Sequence, residues 1–175
     1  MKKLTFIILT LLLTLTTKAQ SVSQDYSVAK NAIFISHHKI DGKKTFYLAL
    51  KMSDMLPVLD KEGPFTVFEP TDAAFTNIPI KSLLKNDDIN HSHLTSVIKS
   101  HIVKGKYKKE DLLYMIKVNN GRSTLTTVNG DILKFTLQYG NIKIEDKYGN
   151  VSKIVNKDVN SKNGVVHIID KVLLH

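Results

Sequence analysis

The side chains able to do chemistry fall in three stretches of the chain. Phe65-Thr66-Val67-Phe68-Glu69-Pro70-Thr71-Asp72 ends on a hydroxyl beside a carboxylate. His101 stands in the apolar run His101-Ile102-Val103, and His167 and Asp170 belong to a run that begins at Asn163-Gly164. A histidine near a carboxylate can move a proton or orient a nucleophile. One reading is therefore a hydrolase, or a small-ligand protein of the envelope, with a pocket near His101 and Asp72. The plainer reading makes each residue structural. Thr71 or Asp72 would cap a short helix opening after Pro70, where backbone donors have no partner within the helix. Thr66 would add a buried hydroxyl bond from the strand before it. His101, in an apolar strand, would be a buried imidazole bonded to backbone, and His167 likewise. Asp170 would lock two segments together, because a buried unpaired carboxylate is costly.

Other chemistries lack their residue patterns. The chain has no cysteine and no G-x-S-x-G elbow, and its scattered Ser, His and Asp define no triad. His37-His38 and the pair His91 and His93 invite a metal, but no H-E-x-x-H helix or acidic calcium loop accompanies them. Glycine-rich phosphate loops are missing as well. No catalytic residue, metal ligand or cofactor is implied.

The elements that would position these residues change character midway. Helical spacing predicts a helix over 22–35, then a turn at Asp41-Gly42. A second helix starts at Thr45, burying Leu48, Met52, Met55, Leu56 and Leu59. Pro79 stops the short helix after Pro70, and another helix runs near 87–98. From His101 onward the chain is rich in β-branched runs divided by Asn129-Gly130, Tyr139-Gly140-Asn141, Gly149-Asn150 and Asn163-Gly164. Helices first and strands second make an α+β arrangement.

Lys2 and Lys3, an apolar run from Leu4 to Leu15, and Thr17-Lys18-Ala19 have the three-part plan of a secretory leader over residues 1–19. Residues 20–175 then form one domain, with no further apolar run long enough to span a membrane. Without cysteine, packing alone must hold an exported domain together, and a lipid anchor at the cleavage site is ruled out. The composition and short leader suggest a bacterial protein. Removing the three leader lysines lowers the net charge from +9 to +6. Arg122 is the single arginine, and the lysines cluster only at Lys104, Lys106, Lys108 and Lys109. That is a solvated face or a contact for an anionic surface, and it is unlike a nucleic-acid interface, which clusters arginines.

Three stretches in order resemble one family, the fasciclin-type (FAS1) domain. Gly63-Pro64-Phe65 through Phe75 looks like its first signature, and Asn163 to Leu174 like its second. Leu94 to Tyr107 resembles the segment between them, where the family usually has a Tyr-His pair. The resemblance implies a β-wedge of two sheets flanked by helices. It also implies a secreted or surface module for adhesion or extracellular recognition of a protein or anionic glycan, without catalysis. Thr66, Thr71, Asp72, His101, Asn163, Gly164, His167 and Asp170 are the motif residues, structural or in contact with a partner. Two positions depart from the pattern: Ser100 stands where the tyrosine would be, and Glu69 replaces an alanine at a strand end open to solvent.

Overall fold

The computed structural model describes residues 45–78, 88–155, 158–161 and 163–174. The leader, the helix expected over 22–35, the turn at Asp41-Gly42 and the stop at Pro79 lie outside the described residues.

Two helices open the described chain, α1 (Thr45–Met52) and α2 (Met55–Lys61). One continuous helix was expected here, and Pro57 is the reason there are two. A proline ring clashes with the carbonyl four residues back, which would be Ser53. The first helix ends at Met52, Asp54 turns left-handed at φ 55°, and Pro57 falls within the first turn of the next helix, where proline is tolerated. The buried face of α1 is Phe46, Ala49 and Leu50, so Leu48 points to solvent, contrary to the sequence reading. Met55 and Leu59 are buried, and Met52 and Leu56 are half-buried.

Strand β1 (Phe65–Pro70) follows, then a 3-10 turn at Asp72–Phe75 and helix α3 (Asp88–Ser100). The first sheet is completed by β2 (Ile102–Lys104), β7 (Val159–Ser161) and β8 (Gly164–Ile169), in the order β2-β1-β8-β7. Strands β1 and β8 pair in parallel, from Phe65 opposite Gly164 to Pro70 opposite Ile169. The two signature stretches therefore lie side by side at the centre of one sheet. Both strands are buried along their whole length, and a parallel pair covered on both faces reads as a nearly continuous apolar run.

The second sheet is antiparallel, β3 (Arg122–Thr126), β4 (Ile132–Gln138), β5 (Asn141–Glu145) and β6 (Val151–Lys153) in chain order. Its strands alternate buried and exposed positions, as a sheet with one wet face must. Before it comes helix α4 (Lys109–Val118), which the sequence reading did not anticipate. Leu112 and Ile116 are its buried residues, Leu113 and Met115 pack beside them, and its first residue, Lys109, belongs to the lysine cluster noted in the sequence.

Two cores result. The helix-facing side of the first sheet, with Phe65, Val67, Val166 and Ile168, packs on α1, α2 and α3 through Leu50, Leu59, Leu94 and Ile98. The opposite side, with Phe68 and Ile169, packs on α4 and on the inner face of the second sheet through Leu133, Phe135, Ile142 and Ile144. The architecture is α+β, two sheets with helices.

Candidate functional site

A central strand pair buried on both sides can hold a polar side chain only if its bonding groups find partners. Among the described residues, β1 and β8 carry three such side chains, Thr66, Glu69 and His167, and all are completely buried.

Thr66 reaches across to the chain leaving β2. Its hydroxyl donates to the Gly105 carbonyl at 2.7 Å and accepts the Tyr107 N–H at 2.9 Å. Gly105 has φ 104°, and a Cβ there would stand 2.7 Å from the Tyr107 ring, so only glycine fits the turn. His167 stacks on Phe68 with ring centroids 5.4 Å apart and faces an acceptor at each nitrogen. Nδ1 is 2.9 Å from Asp158 Oδ1, and Nε2 is 2.7 Å from the Tyr107 carbonyl. Both bonds are made together only by a ring protonated at both nitrogens. Asp158 Oδ2 also accepts the Lys109 N–H at 2.6 Å, at the start of α4. Burial alone would raise the Asp158 carboxyl, but bonds from His167 and the Lys109 amide outweigh it and hold it below the ordinary value.

His101 lies in the turn between α3 and β2, not within a strand as its apolar neighbours suggested. Nδ1 is 2.7 Å from the Val97 carbonyl, so it carries the proton, and Nε2 accepts the Leu173 N–H at 2.9 Å. The ring is completely buried, 5.3 Å from Phe46, and both nitrogens are committed to backbone. Ser100 points to the second sheet. Its Oγ is 2.9 Å from Asp131 Oδ2 and 3.0 Å from the Ser96 carbonyl. Burial would raise Asp131, yet bonds from Asn129, Lys147 and Ser100 together lower it.

The other motif residues are spread along the same seam. Thr71 sits at the position before the 3-10 turn, but its side chain makes no capping bond, contrary to expectation. Asp72 Oδ1 instead accepts the Thr45 N–H at 3.0 Å, and so caps α1, 27 residues earlier in the chain. The Asn163 carbonyl accepts the Phe65 N–H at 2.9 Å, and its side-chain amide donates to the Leu59 carbonyl. Gly164 opens β8 opposite Phe65. Asp170 Oδ1 accepts the Lys153 N–H at 2.8 Å and the Ser152 hydroxyl at 3.1 Å. Glu69 is completely buried rather than open to solvent at the strand end.

Reading the sequence missed Asp158 and Asp146. Asp146 is nearly fully buried and accepts backbone N–H groups from Tyr148, Asn150 and Leu174 at 2.9 to 3.0 Å. Its signal was the string Asp-Lys-Tyr-Gly-Asn, an Asx-type turn. Asp158 left no local signal, because its partners lie 9 and 49 residues away.

A cavity of about 420 Å³ opens beside α3, lined by Phe46, Phe75, Leu94, Ile98, Val172 and the His101 ring among others. Asn77, His93 and Tyr148 supply its polar edge, and Asp72 is not among its lining residues. The proposed convergence of His101 and Asp72 on one pocket is therefore not found. Among the described residues, no group of three His, Cys, Asp or Glu could hold a metal ion, and no helix is long and apolar enough to cross a membrane.

Comparison with known proteins agrees with this geometry. Residues 41–175 match the sequence profile described as Fasciclin domain, and the chain belongs to that family. Protein sll1483 of a Synechocystis strain is 33% identical over 139 residues, covering 76% of this chain and 69% of that protein. Human periostin is 29% identical over 135 residues, covering 77% of this chain but only 15% of periostin. A solved FAS1 domain pair from the insect cell adhesion molecule fasciclin I superposes with a TM-score of 0.62 at 23% identity, covering 74% of this chain and 44% of that one. That likeness shows the fold.

Proposed function

We propose that the chain is an exported, non-catalytic binding module that serves adhesion or extracellular recognition of a protein or glycan partner. The leader-like residues Met1 to Ala19 support export to the cell surface, the periplasm or the exterior. Family membership supports adhesion, since one relative of the same fold belongs to a cell adhesion molecule.

One observation carries the non-catalytic part. The His101 imidazole donates to Val97 and accepts from Leu173, so it has neither a proton to give nor a lone pair to take. His167, Asp158 and Asp170 are likewise occupied with internal bonds. The motif residues thereby hold a scaffold, and recognition falls to its outer surfaces. Coating a surface with the protein and counting attached cells tests this reading. Attachment above a heat-unfolded control is expected, and attachment equal to that control would contradict it.

The cavity beside α3 favours a second reading, a small apolar ligand held against Phe46 and Leu94. Quenching or displacement of an apolar fluorescent probe by the native protein, abolished by Ala49→Trp, would favour it over surface recognition.

A further inference from the structure

The outer face of the second sheet carries a line of cations that no stretch of sequence displays. The strand registers place Arg122 opposite Thr136, Thr136 opposite Lys143, and Lys143 opposite Lys153. These four residues form one row running across all four strands. With neighbouring strands about 4.8 Å apart, the row spans about 14 Å. Arg122 is exposed, and Lys143 and Lys153 are half-exposed. The next row is neutral, because Lys134 Nζ lies 2.7 Å from Glu145 Oε1. Among the described residues, only Lys153 of the first row has a carboxylate near it, Asp170 Oδ2 at 3.7 Å. Arg122 and Lys143 make no ion pair among the described residues.

We propose that this row is a docking surface for a linear acidic polysaccharide, whose carboxylates or sulfates are gripped in succession by Arg122, Lys143 and Lys153. The inference rests on the reading of the chain as an extracellular binding module and names that module's partner. Charge complementarity is the first argument: three cations stand in line with no compensating carboxylate in their own row. The second is cost. Like charges directly opposite on neighbouring strands destabilise a sheet, and Lys143 faces Lys153 directly. The third is shape. A row that crosses all four strands suits an extended chain rather than a compact anion, which needs converging donors. Thr124 exposes its hydroxyl beside the row for bonding to sugar. No aromatic side chain stands among the row's four residues or in the neutral row beside it, Thr124, Lys134, Glu145 and Val151, as base stacking on single-stranded nucleic acid would need. The exposed apolar residues of this face, Ile132 and Val151, lie on different strands and form no wedge for a lipid bilayer.

The test uses purified protein on immobilised polygalacturonate, with neutral dextran and anionic phospholipid vesicles as comparison surfaces. Two variants accompany it. One carries Arg122→Gln, Lys143→Gln and Lys153→Gln, and the other replaces Lys104, Lys106, Lys108 and Lys109 with Gln. Circular dichroism and the unfolding midpoint check that each variant is folded. The expected result is capture by polygalacturonate but not dextran, weakening as salt screens the charges. The row variant should bind on the order of tenfold more weakly, and the lysine-cluster variant close to the native protein. Equal binding by the row variant, loss only in the lysine-cluster variant, or capture by vesicles but not polygalacturonate would each overturn the proposal. No capture in low salt by a protein that still supports cell attachment overturns this surface and leaves the binding module standing. Capture without cell attachment supports the surface and counts against adhesion.

Discussion

The His167 ring and the Asp158 carboxylate share a hydrogen bond, Nδ1 to Oδ1 at 2.9 Å, that joins the second signature strand to the start of α4. The Asp158 side chain is only 10% exposed and that of His167 not at all. The same imidazole holds the Tyr107 carbonyl, while Thr66 of the first signature holds the Tyr107 amide. One backbone residue is thus clamped by both signatures at once.

Asp158→Asn removes the charge while keeping the side chain's size, and weakens the bonds from the His167 ring and the Lys109 amide. Losing a hydrogen bond to a charged group costs about 2 kcal/mol, measurable by urea unfolding at neutral pH. The pH dependence has a definite sign. Asp158 is held below its ordinary value in the fold. Its stabilising contribution is complete above the unfolded carboxyl value of about 4 and is lost as pH falls through the lower folded value. The native protein should lose stability through that acid range more steeply than the variant. Parallel acid limbs would show that the pair does not act in this way.

His101→Ala should lower stability by about 3 kcal/mol, combining a cavity with two lost backbone bonds. Its local effect is more telling. The Leu173 amide should exchange with solvent as slowly as the core strands in the native protein and much faster in the variant. Unchanged exchange at Leu173 would mean that the imidazole does not hold the final segment.

Lys143→Thr relieves the like-charge contact with Lys153 without breaking the Lys153–Asp170 pair. A gain of roughly 0.5 kcal/mol in unfolding free energy is expected, together with weaker capture by acidic polysaccharide. A residue kept only for stability would show the opposite sign in the first measurement.

Much of this could be read from the chain. The strands around β4 and β5 announced themselves by alternation, and the two ordered signatures marked β1 and β8, although their parallel pairing shows only in the fold. What escaped depended on contacts between distant residues. Asp72 looked like the cap of the turn beside it, yet its carboxylate accepts the Thr45 amide and caps α1, 27 residues away in sequence. His101 was assigned to a strand by its apolar neighbours, although the helix before it runs on to Ser100. Helix α4 carries Leu112, Leu113, Met115 and Ile116 against the core, but a short run of near-consecutive apolar residues does not separate helix from strand by periodicity. Glu69 was expected at solvent because it nears a strand end, but the sheet continues past it to Pro70 opposite Ile169. The basic row was invisible for a similar reason. Arg122, Lys143 and Lys153 become neighbours only through strand register, whereas the contiguous cluster at Lys104 to Lys109 drew attention by proximity alone.

The central claim is that the motif seam is scaffold and that recognition occurs on the outer sheet face. Its most direct test is a nuclear magnetic resonance titration of isotope-labelled protein with an oligogalacturonate. Amide shifts should move at Arg122, Thr136, Lys143, Lys153 and their strand neighbours, while those of Val97, His101 and Leu173 stay in place. Shifts centred on His101 and the cavity beside α3, with the sheet unmoved, would contradict the account.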